Sequence, residues 1–216
     1  MKDAYTVALG MVKLSVQRSE RSDDGRYLID YTKLHKLLYY AQCFSLAKYG
    51  SPLFYEDVVG QDSGPWVEEL SRFYGNFGLG EYTAGHMAGV RMPEFSRKEK
   101  DTMLSVIAAL GKLSSEELTW KAKQSAPLQK MTRCGSILSK DDMRAYGSSE
   151  FHISPTAREG LDVAGYVRDS RKLLKLYGQC RERAQRRNKK AGKTQRASAN
   201  RRMRERNEYP RGNAAH

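Results

Sequence analysis

Four histidines, three cysteines and several adjacent acidic pairs are the residues of this chain that could do bond chemistry, and their spacing decides whether an enzyme is written in it. His35, His86, His152 and His216 have no Cys, Asp or Glu at metal-ligand spacing, so no metal site is predicted. His35 lies in a Leu-rich segment and reads as a packed or surface histidine rather than a ligand. Asp23-Asp24, Glu68-Glu69 and Asp141-Asp142 are immediate neighbours. Neighbours on a helix diverge by about 100°, so such pairs serve helix dipoles and solubility rather than a shared proton. Gly75, Gly78 and Gly80 have no Lys-Ser/Thr after them and no apolar strand before them, so the phosphate-loop and dinucleotide templates both fail. A hydrolase in this Gly-rich loop, resting on Glu81 and His86, is the weakest of the functional readings. No catalytic residue and no cofactor is predicted.

Charge is distributed very unevenly. Residues 1–150 carry 20 Lys/Arg against 19 Asp/Glu, whereas residues 151–216 carry 18 against 6, so nearly all of the net +13 belongs to the last third. A length of 216 residues suits one domain of ordinary size with an appendage. Cys43, Cys134 and Cys180 are far apart, odd in number and in no CxxC pair, which reads as free thiols in a reducing compartment. Lys13 and Arg18 interrupt the N-terminal apolar residues, and no run of 18 apolar residues occurs elsewhere, so a cytoplasmic protein without a membrane partner is expected.

The elements that must position any functional residue are mainly helical. Ala4, Ala8, Met11, Val12 and Val16 predict a first helix over 4–17, followed by a loop from Arg18 to Arg26. Asp30 and Thr32 are candidate N-caps of a second helix, with Leu34, Leu37, Leu38, Ala41 and Phe44 as its stripe and Gly50-Ser51-Pro52 as its stop. Val58 and Val59 suggest one short strand within 53–61. Gly64-Pro65 is expected to open a third helix whose buried side is Val67, Leu70, Phe73, Tyr74 and Phe77. After a Gly-rich loop to Pro93, Ser96 and Glu99 have capping-box spacing ahead of Met103, Leu104, Ile107, Ala108 and Leu110. A shorter helix follows from Ser114 or Ser115, ended by Pro127, and a last one after Ser139 closes near Tyr146.

Tyr27, Tyr31, Tyr39, Tyr40, Phe44, Tyr49, Phe54, Tyr55 and Trp66 crowd into 40 residues. At least half are expected in the core, with one of Tyr39 and Tyr40 facing inward. The remainder, beside the Gly-Pro corner, have the amphipathic character enriched in protein interfaces. Tyr31, His35, Tyr39, Tyr40, Gly64, Pro65 and Trp66 are the expected partner-binding residues. Beyond Ser154-Pro155, the spacing of Tyr166, Leu173, Tyr177, Cys180 and Ala184 predicts a narrow helical stripe. Ten cations then lie between Arg186 and Arg206, among them Arg187, Lys189, Lys190, Arg201 and Arg202, in a composition expected to be disordered or conditionally helical when free. These cations would attract nucleic-acid phosphate or an acidic protein without base readout, because no aromatic side chain is interleaved for stacking.

The run Lys33-Leu34-His35-Lys36-Leu37-Leu38-Tyr39-Tyr40-Ala41-Gln42, the Gly50 to Phe54 turn, Gly64-Pro65 with Val67, and the helices from Leu104 to Leu118 leading to Ala126-Pro127 together resemble the Panacea domain of SocA-like antitoxins. The resemblance covers residues 4 to about 146, with Trp66 standing where the family commonly has an aliphatic residue. It implies a compact, mainly α domain over 1–147 with at most a short β element, and a basic helical or disordered extension over 148–216. It further implies a non-enzymatic, commonly phage-associated antitoxin that binds a cognate toxin directly, and, for SocA-like members, delivery of a toxin to a bacterial protease. The alternative is a nucleic-acid-associated phage or regulatory protein that acts through its basic arm.

Overall fold

The computed structural model describes residues 1–153, which all fall in the first of two units, residues 1–169. Seven α-helices and one small sheet make up the described residues: α1 (Ala4–Ser22), α2 (Tyr31–Tyr49), β1 (Val59–Gln61), β2 (Gly64–Trp66), α3 (Ser71–Phe77), α4 (Arg97–Leu110), α5 (Ser115–Lys123), α6 (Ala126–Gln129), β3 (Ser136–Ile137) and α7 (Lys140–Glu150). The fold is mainly α, as expected.

α2 is the axis of this body. The Asp30 carboxylate accepts the Lys33 N–H at its start, and Gly50 ends it in the left-handed region at φ 67°, where glycine carries no Cβ penalty. Every residue from Leu34 to Leu46 is buried, because α1, α4, α5, α7 and the sheet surround the helix. A helix enclosed on all sides must spend its polar side chains on fixed partners. Lys33 Nζ donates to the carbonyls of Arg26 and Leu28 at 2.7 and 2.9 Å. Gln42 clamps the loop after the helix: its amide donates to Phe54 O at 3.0 Å, and its Oε1 accepts from Leu53 N at 2.7 Å and Phe54 N at 3.3 Å. Gln42→Met keeps the volume but strands those backbone groups, and is expected to cost about 2 kcal/mol in urea unfolding.

Several elements differ from the expectation. α1 runs through Ser22 instead of yielding to a loop at Arg18, because Arg18, Glu20 and Arg21 lie on its exposed side, and a polar face does not end a helix. It stops at Asp23, in the left-handed region at φ 48°, after which Gly25–Tyr27 form a single tight turn. Gly64-Pro65 does not open a helix. It belongs to β2, which pairs antiparallel with β1 across the Asp62-Ser63 turn, in register Gln61↔Gly64, Gly60↔Pro65 and Val59↔Trp66. β1 also pairs with β3, so β2 is an edge strand, the place in a sheet where a proline without an N–H is tolerated. α3 begins only at Ser71, after the tight turn Glu68–Leu70. Pro127 lies within the short α6 rather than ending α5.

Both capping boxes form, Ser96 with Glu99 on α4 and Ser114 with Glu117 on α5. Met103, Ile107 and Leu110 of α4 are buried, whereas Leu104 is 51% exposed and off the stripe. α7 continues past Tyr146 to Glu150 and is followed by the buried Phe151.

A candidate partner-binding surface

β2 crosses α2 near its start, and the crossing is organised by His35. The backbone N–H of Val67 donates to His35 Nδ1 at 3.1 Å, so the neutral ring carries its proton on Nε2. Burial, with the nearby Lys36 charge second, holds the imidazole down to about pKa 3, which keeps it neutral at physiological pH. The half-buried Trp66 indole stacks on this ring at 3.5 Å between centroids and 11° between planes. Tyr31 stands edge-on to both, 4.6 Å from His35 and 5.6 Å from Trp66. Tyr74 continues the row 5.7 Å from Tyr31 and is 49% exposed. Leu79, 60% exposed, is tied in through its carbonyl, which accepts the Tyr31 N–H at 3.3 Å. The outcome is a graded surface: buried histidine, half-buried indole and exposed phenol and leucine, all fixed to the most enclosed helix of the fold.

The expected site residues therefore divide. Tyr31, His35, Gly64, Pro65 and Trp66 come together at the crossing. Tyr39 and Tyr40 do not join them. Both are fully buried, whereas only one was expected inward, because α2 is covered on every side. The Tyr39 hydroxyl meets Ser125 Oγ at 2.9 Å, and the Tyr40 ring packs 6.3 Å from Tyr146 and 6.5 Å from Phe151. They hold the axis in place and present no surface. Arg186, Arg187, Lys189, Lys190, Arg201 and Arg202 lie outside the described residues.

Sequence reasoning missed Tyr74 as a surface group, having placed it on the buried side of α3, and missed Leu79 and Lys36. For Lys36 a signal existed: a lysine in the middle of a helix about to be enclosed needs a partner. Among the described residues, no group of three or more His, Cys, Asp or Glu is placed to hold a metal, and no helix is long and apolar enough to cross a membrane.

Residues 34–127 match the family model described as antitoxin SocA-like, Panacea domain. Over this segment the chain is similar to the SocA-like Panacea domain. The matched span opens inside α2 and closes inside α6, so it holds His35, Lys36, the β1–β2 hairpin, Tyr74, Leu79 and both capping boxes. α1, Tyr31 and α7 pack against the matched segment from outside that span. The model's description is that of antitoxins, which supports an antitoxin family role and, in general, a toxin as the kind of partner. No curated protein and no solved structure matches the chain.

Proposed function

We propose that this chain is the antitoxin of a bacterial or phage toxin–antitoxin pair and neutralises its cognate toxin by direct binding through Trp66, Tyr31, Tyr74 and Leu79. The observation that carries the reading is the Panacea match over residues 34–127, which contains Trp66 and Tyr74, two partly exposed rings joined through the buried Tyr31 at the start of α2. Large rigid aromatic groups lose little side-chain entropy on binding and dominate interface energies, so Trp66 is the expected hot spot. His35, Tyr39 and Tyr40 contribute by holding that surface rather than by touching the toxin.

Co-expression with the neighbouring gene product tests this. The chain is expected to restore growth and to co-purify with that product, and Trp66→Ala is expected to weaken the complex by about tenfold or more while leaving the fold intact. Absence of both complex and rescue removes the reading. The same experiment separates two modes of neutralisation: a toxin that persists in complex is held by occupancy, whereas a toxin that disappears unless proteases are deleted is being delivered for degradation.

A second reading is favoured by the charge asymmetry, 18 Lys/Arg against 6 Asp/Glu over residues 151–216. In it the arm containing Arg186, Arg187, Lys189, Lys190, Arg201 and Arg202 binds nucleic acid without sequence preference through counterion release. We place the division between body and arm after Ile153 rather than at Gly147, so that Glu150 and Phe151 stay with α7. Truncation there is expected to abolish salt-sensitive retention on DNA while leaving toxin rescue intact. Loss of rescue with unchanged DNA retention would reverse the assignment of the two parts.

A further inference from the structure

Lys36 is the least explained residue of the partner surface. It is 0% exposed, yet its ammonium has a single hydrogen bond among the described residues, to Pro65 O at 3.1 Å, and no described carboxylate pairs with it. Its other neighbour is the Trp66 ring, 5.2 Å from Nζ. An ammonium has three donors, so two remain unused, in surroundings where an unpaired charge is expensive. Burial, with Lys123 second, lowers its pKa to about 8, against a weaker opposing pull from Asp30; the group still carries its charge at pH 7. A second unused donor touches the same indole. His35 Nε2, which must bear the imidazole proton, is buried and has no hydrogen-bond partner.

The ammonium lies directly against Gly64. Residue 64 is glycine, and a Cβ there would stand 3.6 Å from Lys36 Nζ and 3.5 Å from Thr119 Cγ2, so the ammonium borders a cradle that any other residue would fill. Trp66 and Thr119 beside it are half-exposed, and Lys123 is exposed. The local charge is therefore positive, with desolvated donors and no acceptor from the described fold beyond Pro65 O.

We propose that Lys36 is a receptor for a carboxylate side chain of the protein partner, which enters at the seam of Gly64, Trp66 and Thr119 and pairs with the ammonium beneath the indole. The proposal deepens the toxin-binding reading and rests on it for the identity of the partner. A carboxylate fits better than a phosphate: one recessed ammonium beside an aromatic wall matches a single negative charge on a short stem, whereas a phosphate group requires several convergent donors. It also gives a physical role to a cost the free fold bears, since a charge buried without its counter-ion in the monomer becomes a specificity element once a partner supplies one.

Two measurements on the full chain test it. In the first, N-acetylglutamate amide and its glutamine counterpart are titrated against isotope-labelled protein at constant ionic strength, following the Trp66 indole and Lys36 side-chain signals. The glutamate probe is expected to shift both signals saturably and the glutamine probe to leave them in place, with the response absent in Lys36→Met. In the second, Lys36→Met, which keeps the stem volume and removes the charge, is expected to melt at or above the parent temperature and yet bind the toxin at least about tenfold more weakly. A parent that shows no saturable glutamate response, or that responds to a short oligonucleotide instead, overturns the proposal. So does a folded Lys36→Met that binds toxin like the parent, and in that case the toxin-binding reading survives. A saturable glutamate response with no toxin complex at all has the opposite meaning: the carboxylate site stands and the toxin reading falls. The first titration uses the parent protein, so it decides the matter even if Lys36→Met fails to fold.

Discussion

Gly147→Ala is expected to destabilise the protein by about 3 kcal/mol or more, a loss that lowers the melting temperature by roughly 10 °C for a body of this size. The cause is geometric. α7 crosses α2 at this residue so closely that an alanine Cβ would lie 2.2 Å from the Cys43 carbonyl oxygen, 2.7 Å from its carbonyl carbon and 3.1 Å from the Ala47 Cβ. The obstacle is backbone of the most enclosed helix, which cannot swing aside as a long side chain does, so the crossing itself must open. What then separates is a sizeable part of the core: Tyr146 packs on Tyr39 and Tyr40, Phe151 packs on Phe44 at 5.1 Å, and Glu150 pairs with the buried Lys121 at 2.7 Å. Gly75→Ala is the matched control. It sits in α3 with nothing within 4 Å of the added methyl, and is expected to be neutral or stabilising by about 0.5–1 kcal/mol. Urea unfolding of the two variants beside the parent checks both signs. A Gly147→Ala protein as stable as the parent would show that α7 does not dock on α2 at this distance.

The second large effect is a loss of stability in acid that traces to His35. Unfolded, this imidazole takes a proton near 6.5, while burial and then the Lys36 charge hold it near 3 in the fold. Below pH 6.5 the unfolded chain therefore binds a proton that the native chain refuses. The stabilisation is complete above pH 6.5 and is lost progressively as pH falls toward 3. A gap of about 3.5 pH units, at about 1.4 kcal/mol each, amounts to about 5 kcal/mol at the acid end. Charged groups packed around the site reinforce the sign, since Lys36 remains cationic throughout that window and a second cation beside it is unfavourable. The expected observations are an imidazole C–H signal of His35 that stays constant from pH 7 to 4, and an unfolding free energy that falls over the same range. In His35→Asn, whose side-chain oxygen can still accept the Val67 N–H, that slope should nearly vanish on a lower baseline. A histidine that titrates near 6.5 in the native state would contradict the buried, stacked geometry. The buried lysines act in the opposite window. Lys33 and Lys36, both lowered to about 8 with burial as the leading cause, add stability as pH rises from about 8, until ionisation of the buried Cys43 thiol and tyrosine hydroxyls in the unfolded chain reverses the trend.

Local signals in the chain were read well because they depend on neighbours in sequence. Asp30 and Gly50 delimit α2, Ser96-Glu99 and Ser114-Glu117 form capping boxes, and the apolar stripe of α4 is buried apart from Leu104 and the half-buried Ala108. What failed depended on distant partners. α2 carries Lys33, His35, Lys36 and Gln42, so it reads as amphipathic. In the fold each of these side chains reaches backbone outside the helix, at Arg26, Val67, Pro65 and Phe54 respectively, and the helix is enclosed on the face that looked polar. Pro65 shows the same ambiguity, since a fixed φ without an N–H suits a first helical turn and an edge strand alike, and the pairing of Gly60 with Pro65 decides between them. The candidate surface was half legible. Tyr31 and Trp66 were picked from aromatic density and the Gly-Pro corner, but Tyr39 and Tyr40 belong to the interior and Tyr74 to the outside, which only the positions of α7 and α3 around α2 determine.

Neutralisation by occupancy and neutralisation by chemistry leave different signatures in one titration. Purified toxin is held at fixed concentration, the full-length chain is added in steps, and residual toxin activity is followed together with the intact mass of the toxin. Binding through the Trp66 surface predicts a linear fall to a fixed molar endpoint, with toxin of unchanged mass recoverable in active form after denaturation, and an endpoint that Trp66→Ala shifts or abolishes. Complete inactivation by a small fraction of that amount, or a toxin recovered with altered mass, would mean that the chain turns its target over and would contradict the binding account.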